Sequence, residues 1–140
     1  NEKAMRIIAD HIRSAVFMSA DPAGIKPSNT DQGYILRRLI RRAIRYAKKL
    51  NIDIDSNWEE QIALLIINKY KEYYPELEEN KQVVLDVLKG EKVKFNRTLE
   101  KGLREFEKVV SKNDSIDATT AYPSAKLALY EFAFNHSRCL

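Results

Sequence analysis

Apolar residues recur at helical spacing along almost the whole chain, and polar breaks divide the pattern into segments. Over residues 2–19, Met5, Ile8, Ala9, Ile12, Ala15, Val16 and Met18 gather on one side of a helix that Asp21-Pro22-Ala23-Gly24 ends. Pro27-Ser28 prolongs the loop. Ser28, Asn29 or Asp31 can then cap a second helix, which runs to about Leu50 and yields to Asn51-Ile52-Asp53-Ile54-Asp55. Ser56 is a good cap for a third helix from Asn57 to Tyr73, with Trp58, Ile62, Leu65, Ile66 and Tyr70 as its apolar stripe. Pro75 breaks or restarts the chain. From Glu76 to Val110 the positions Leu77, Val84, Leu88, Phe95, Leu99, Phe106 and Val110 step by sevens and fours, the spacing of a long amphipathic helix that Gly90 and Gly102 are placed to bend. Ser111-Lys112-Asn113-Asp114-Ser115 reads as a loop, and Pro123-Ser124-Ala125 starts a last helix through Phe132. No run alternates with the period of a strand. The expected fold class is all-α: a multi-helix array forming one domain over residues 1–140, with 111–140 as a loop and terminal helix.

Charge changes the picture at the second helix. At about 100° per residue, Arg37, Arg38, Arg41, Arg42, Arg45, Lys48 and Lys49 fall within an arc of roughly 140°, and no acid interrupts them. Leu36, Leu39, Ile40, Ala43, Ile44, Ala47 and Leu50 take the opposite side, so one face can seal a core while the other holds guanidinium groups in solvent. Solvated helices usually mix signs at i,i+4; here Arg37 stands beside Arg41, Arg38 beside Arg42 and Arg41 beside Arg45, an arrangement that costs stability unless an anion neutralises it. Arginine suits phosphate in particular, because its planar fork donates two hydrogen bonds to one anion and keeps its proton. Nucleic acid is the leading partner on these grounds. An acidic protein or an anionic membrane surface remains open, as does a DNA-binding helix-turn-helix. Against DNA, few Asn or Gln stand among the arginines to read base edges. Against membranes, the opposite face lacks the bulky aromatics of an interfacial helix.

Composition adds limits. The net charge of +4 is modest, so segregation of charge on one helix carries the argument rather than its average. The single cysteine, Cys139, cannot form an internal disulfide, and with only two histidines, His11 and His136, no zinc set is plausible. A reducing, cytoplasmic setting is expected. No apolar run approaches membrane-spanning length, and the start at Asn1 shows neither a signal peptide nor a transit sequence. The mixed Glu and Lys surface of the long helix reads as solvated, and no chemistry is assigned to it.

The same residues carry a family resemblance. Ala9-Asp10-His11-Ile12-Arg13, then Pro27-Ser28-Asn29, Gly33-Tyr34-Ile35-Leu36-Arg37-Arg38 and Arg41-Arg42-Ala43, resemble the segment just after the catalytic core of alanyl-tRNA synthetases. Phe95-Asn96-Arg97-Thr98-Leu99-Glu100-Lys101-Gly102-Leu103 resembles that family's Phe-x-Arg-Thr-Leu-x-x-Gly helix. The likeness covers roughly residues 4 to 110. It implies a fragment of a bacterial-type alanine-tRNA ligase, corresponding to its helical tRNA-recognition region, with the acceptor stem of tRNA-Ala and the enzyme's catalytic and editing domains as partners.

The class II active site needs an antiparallel sheet and arginines that clamp ATP, and neither is present in this sequence. The editing domain's paired His and Cys motifs are absent as well. The resemblance therefore implies no catalytic residue and no cofactor within the chain, with ATP and zinc held elsewhere in the full enzyme. His11 reads as a packing or hydrogen-bonding residue, and Cys139 as a bystander. For recognition, the resemblance implies that Asn29 in the Pro-Ser-Asn turn helps to read a G·U wobble pair in the acceptor stem, and the charge stripe itself assigns Arg37, Arg38, Arg41, Arg42 and Arg45 to the RNA backbone. The family's second reader is an Asp in a Leu-Tyr-Asp-Thr-Tyr-Gly-Phe-Pro motif. Leu129-Tyr130-Glu131 keeps the Leu-Tyr-acid order, so Glu131 is the candidate there, but Phe132-Ala133-Phe134-Asn135-His136 departs from the pattern. Beyond about Asp117 the tail is expected to be divergent, misaligned with the family or artificially altered.

Overall fold

The computed structural model describes residues 1–110, and these are helical with no strand among them. The elements are α1 (Glu2–Ala20), α2 (Asp31–Lys49), α3 (Trp58–Tyr70), the one-turn α4 (Glu76–Glu79) and α5 (Lys81–Val110). The chain divides into two compact units, Asn1–Val93 and Lys94–Leu140, of which the second is described for residues 94–110. The expected loop at 111–115, the helix from Pro123, Glu131, His136 and Cys139 lie outside the described residues.

In the first unit α1 is the hub, packing against α2, α3 and α4. It buries Ala4, Ile8, Ile12, Ala15, Val16 and Ala20, while Met5, expected inside, is 55% exposed. The buried stripe is thus turned by about one residue from the one expected. α2 buries Gly33, Leu36, Ile40, Ala43, Ile44 and Ala47. Small residues spread along both stripes let the two axes approach closely. Phe17 of α1 meets Tyr70 and Tyr74 edge-on, with ring centroids 5.6 and 5.2 Å away, which ties the end of α3 to the hub.

Both ends of α2 are built by local chemistry. At its start none of the three expected caps serves, and Thr30 occupies the N-cap position without a side-chain bond. The Ser28 hydroxyl is spent inside the turn, donating to the Thr30 carbonyl at 2.7 Å, and the Asn29 amide oxygen accepts from Arg37. The turn folds onto the helix where Gly33 lies: a Cβ there would stand 2.3 Å from the Lys26 carbonyl oxygen and 2.4 Å from Ser28 Oγ. Only glycine permits that approach. The Ser28 N–H closes the loop on the Gly33 carbonyl at 3.1 Å. At the other end Asn51 adopts a left-handed φ of 57°, with Asn51 N–H on the Lys48 carbonyl at 2.9 Å and Ile52 N–H on that of Ala47 at 3.0 Å. This pair of bonds is a Schellman stop, with asparagine in the place glycine most often takes.

α3 is shorter than expected at both ends. Asn57 rather than Ser56 holds its N-cap position, because the Ser56 hydroxyl donates to the Asp53 carbonyl at 2.5 Å. Its buried residues are Trp58, Glu59, Ala63 and Ile67, whereas Leu65 is 71% exposed. The long segment after Pro75 is broken once, at Asn80, whose side-chain amide donates to the Ala20 carbonyl at 2.9 Å and so satisfies the end of α1. Leu77, Val84, Leu88 and Phe95 are all buried, as their spacing predicts.

Candidate nucleic-acid interface

The 140° arc of cations on α2 is wide enough that its two edges border the core, and the structure treats edge and centre differently. Arg37 and Arg41 lie at one edge, with side chains 23% and 21% exposed. There they meet Glu91 of α5, whose side chain is only 2% exposed. Arg41 Nε donates to Glu91 Oε1 at 2.6 Å, and Arg37 Nε stands 3.8 Å from the same oxygen. Arg37 Nη1 donates in turn to Asn29 Oδ1. An acid from another helix therefore interrupts the stripe where no acid of α2 does.

Arg42 lies at the opposite edge, half-buried beside α1, with its guanidinium 5.9 Å from the centre of the Tyr46 ring. Its charge also reaches His11. Burial, then the repulsion of Arg42, holds the His11 imidazole below its ordinary pKa of 6.5, with Asp10 opposing both. Arg45 is half-buried near the centre of the arc. Arg38, Lys48 and Lys49 are exposed, and the Arg38 guanidinium sits 5.6 Å over the Tyr34 ring. The outward positive charge is thus concentrated on these three side chains, with the Asn29 turn at the N-terminal end of the same helix.

Asn29 is exposed, so its amide can reach a ligand. An amide oxygen has two lone pairs, and Arg37 occupies one of them. What remains is a second acceptor direction and the amide N–H groups, held by a bond to a side chain that lies beside the buried Glu91 carboxylate. Glu131, the other candidate reader, lies outside the described residues.

The long helix, whose mixed Glu and Lys surface reads as solvated in the sequence, carries a buried acid beside this face. Beside Glu91, Lys92 is also buried: its Nζ lies 2.5 Å from Glu59 Oε1 and donates to the Ser56 carbonyl at 2.8 Å. Adjacent residues of α5 therefore reach to α2 on one side and to α3 with its leading turn on the other. A signal for this was present. Glu91 follows Leu88 by three and precedes Phe95 by four, so it occupies a position in the buried heptad stripe, where a charge needs a partner. Among the described residues no group of three or more His, Cys, Asp or Glu side chains could hold a metal, and no helix is long and apolar enough to cross a membrane.

Comparison with known proteins relates this chain to synthetases. Residues 1–131 match the family described as tRNA synthetases class II (A). The alanine–tRNA ligase of Treponema pallidum is 41% identical over 112 residues, 80% of this chain and 18% of that protein. That of Desulfitobacterium hafniense is 40% identical over 131 residues, 94% of this chain and 14% of that protein. That of Borreliella afzelii is 45% identical over 109 residues, 78% and 18% of the respective lengths. The chain belongs to the alanyl-tRNA synthetase family of class II enzymes, and it spans less than a fifth of the length of these curated relatives.

Proposed function

We propose that this chain is the part of an alanine–tRNA ligase that holds the acceptor stem of tRNA-Ala and helps to recognise its G·U wobble pair. The observation that carries the reading is the pairing of an exposed, tethered Asn29 amide with an outward cationic face on the same helix. Arg38, Lys48 and Lys49 are suited to phosphates, which position RNA without specifying it. Arg42 and Arg45 flank them, and Arg37 and Arg41 share the Glu91 carboxylate while bordering the same face. A wobble pair leaves the guanine amino group exposed in the shallow minor groove of A-form RNA, where an amide oxygen can accept from it. Asn29 supplies that oxygen, and Glu131 is the second acceptor in this reading. Alanine activation with its ATP, and editing with its zinc, belong to other domains of the same polypeptide, and the setting is the cytoplasm, where tRNA is charged.

The test compares binding of an acceptor-stem minihelix carrying G·U with the same stem carrying G·C. Asn29→Ala is expected to reduce the preference for G·U about fivefold, the scale of one net hydrogen bond. Equal loss for both stems at unchanged helix content would remove Asn29 as a base reader. Duplex DNA binding as tightly as either stem would remove the RNA reading.

A further inference from the structure

Glu91 is buried on α5, yet its carboxylate faces two arginines of α2 rather than a hydrophobic core. Burying an acid costs free energy, and that cost is offset only where its partners are well placed. Arg41 meets this condition with a 2.6 Å charge-assisted bond. Arg37 Nε lies 3.8 Å from the same oxygen, an electrostatic approach without a hydrogen bond, while its Nη1 donates to Asn29. The guanidinium is planar and rigid, so the attraction of the Glu91 charge on its Nε edge also bears on the direction of Nη1. Asn29 itself lies in a loop, and its exposed side chain has no cap bond to the helix to fix it.

We infer that Glu91 is a positioning residue for the base-reading turn: its buried carboxylate orients Arg37, and Arg37 orients the Asn29 amide. The same carboxylate removes one unit of positive charge from the edge of the arginine face, so α5 sharpens discrimination at the turn while moderating sequence-independent attraction to phosphate. The inference rests on Asn29 being a reader, and one of its consequences can be measured without RNA.

Glu91→Gln preserves size and one acceptor oxygen but removes the charge. The expected result is a fall in the G·U over G·C preference toward that of Asn29→Ala, together with a salt dependence of minihelix binding steeper by about 0.8 in the log–log slope, the contribution of one added charge. In an Asn29→Ala background the same change should leave the preference unmoved and still steepen the slope. A destabilised scaffold would weaken both stems alike and would not steepen the slope. Without RNA, the side-chain amide resonances of Asn29 should shift in Glu91→Gln. If those resonances stay in place in a folded variant, or if the preference falls again in the Asn29→Ala background, the relay is wrong. A parent chain with no G·U preference would refute the G·U reading and with it the base-reading role of the turn, and the amide resonances would then decide whether Glu91 positions Asn29 at all. Should Glu91→Gln fail to fold, Glu91→Asp keeps the charge but draws it back by one methylene, and the same shift in the Asn29 resonances is expected.

Discussion

Replacing Arg38, Lys48 and Lys49 together with alanine isolates the outward charge of α2 from the arginines that the fold itself uses. All three side chains are exposed, and alanine is the best helix former, so the helix should persist. The one contact at risk is that of Arg38 over Tyr34, which at an exposed site is worth about 0.5–1 kcal/mol. If each cation neutralises one phosphate at about 0.8 in the slope of log affinity against log salt, the triple variant should have a slope shallower by about 2.4. Between about 50 and 200 mM salt the parent should therefore lose about 25-fold more affinity for the minihelix than the variant loses. Fluorescence anisotropy with a labelled G·U minihelix across that range measures both slopes, and circular dichroism checks helix content. The preference for G·U over G·C should stay close to that of the parent, because phosphate contacts carry no base information. A slope equal to the parent's in a fully helical variant would show that phosphate does not meet this face. An Arg41 substitution would be a poor substitute, since it strands the buried Glu91 and confounds binding with stability.

Two further perturbations test the core behind that face. Lys92→Met leaves the Glu59 carboxylate buried without its 2.5 Å partner and should cost about 3 kcal/mol in urea unfolding, whereas Glu59→Gln with Lys92→Met should recover most of that loss; a single variant no worse than Lys89→Met, on the exposed side of α5, would contradict it. Because burial and Arg42 hold His11 below its ordinary value of 6.5, the unfolded chain takes up a proton there before the folded one does. Stability from this residue should be complete above about pH 6.5 and decline as the pH falls through the lower folded value, and His11→Gln should flatten that decline; an unchanged profile in the variant would assign it to other groups.

Helical class, the order of the elements and the buried stripe Leu77, Val84, Leu88 and Phe95 are legible in the sequence, because a periodicity of hydrophobic residues is a property of the chain alone. The arginine face and the Asn29 turn are legible for the same local reason, since both lie within one loop and one helix. Cap assignments failed where a side chain had a closer use: Ser28 within its turn, Ser56 on Asp53, and Asn29 on Arg37. The rotation of α1 and α3, which left Met5 and Leu65 outside, depends on which neighbours each helix meets. Only the tertiary structure divided the arginines into those held by a carboxylate and those facing outward. Glu91 is fifty residues from Arg41 along the chain, and no local pattern states which distant acid will be folded against a given base. A charge inside a heptad stripe says that a partner must exist, because an unpaired buried charge is too costly to persist. Packing decides which partner it is.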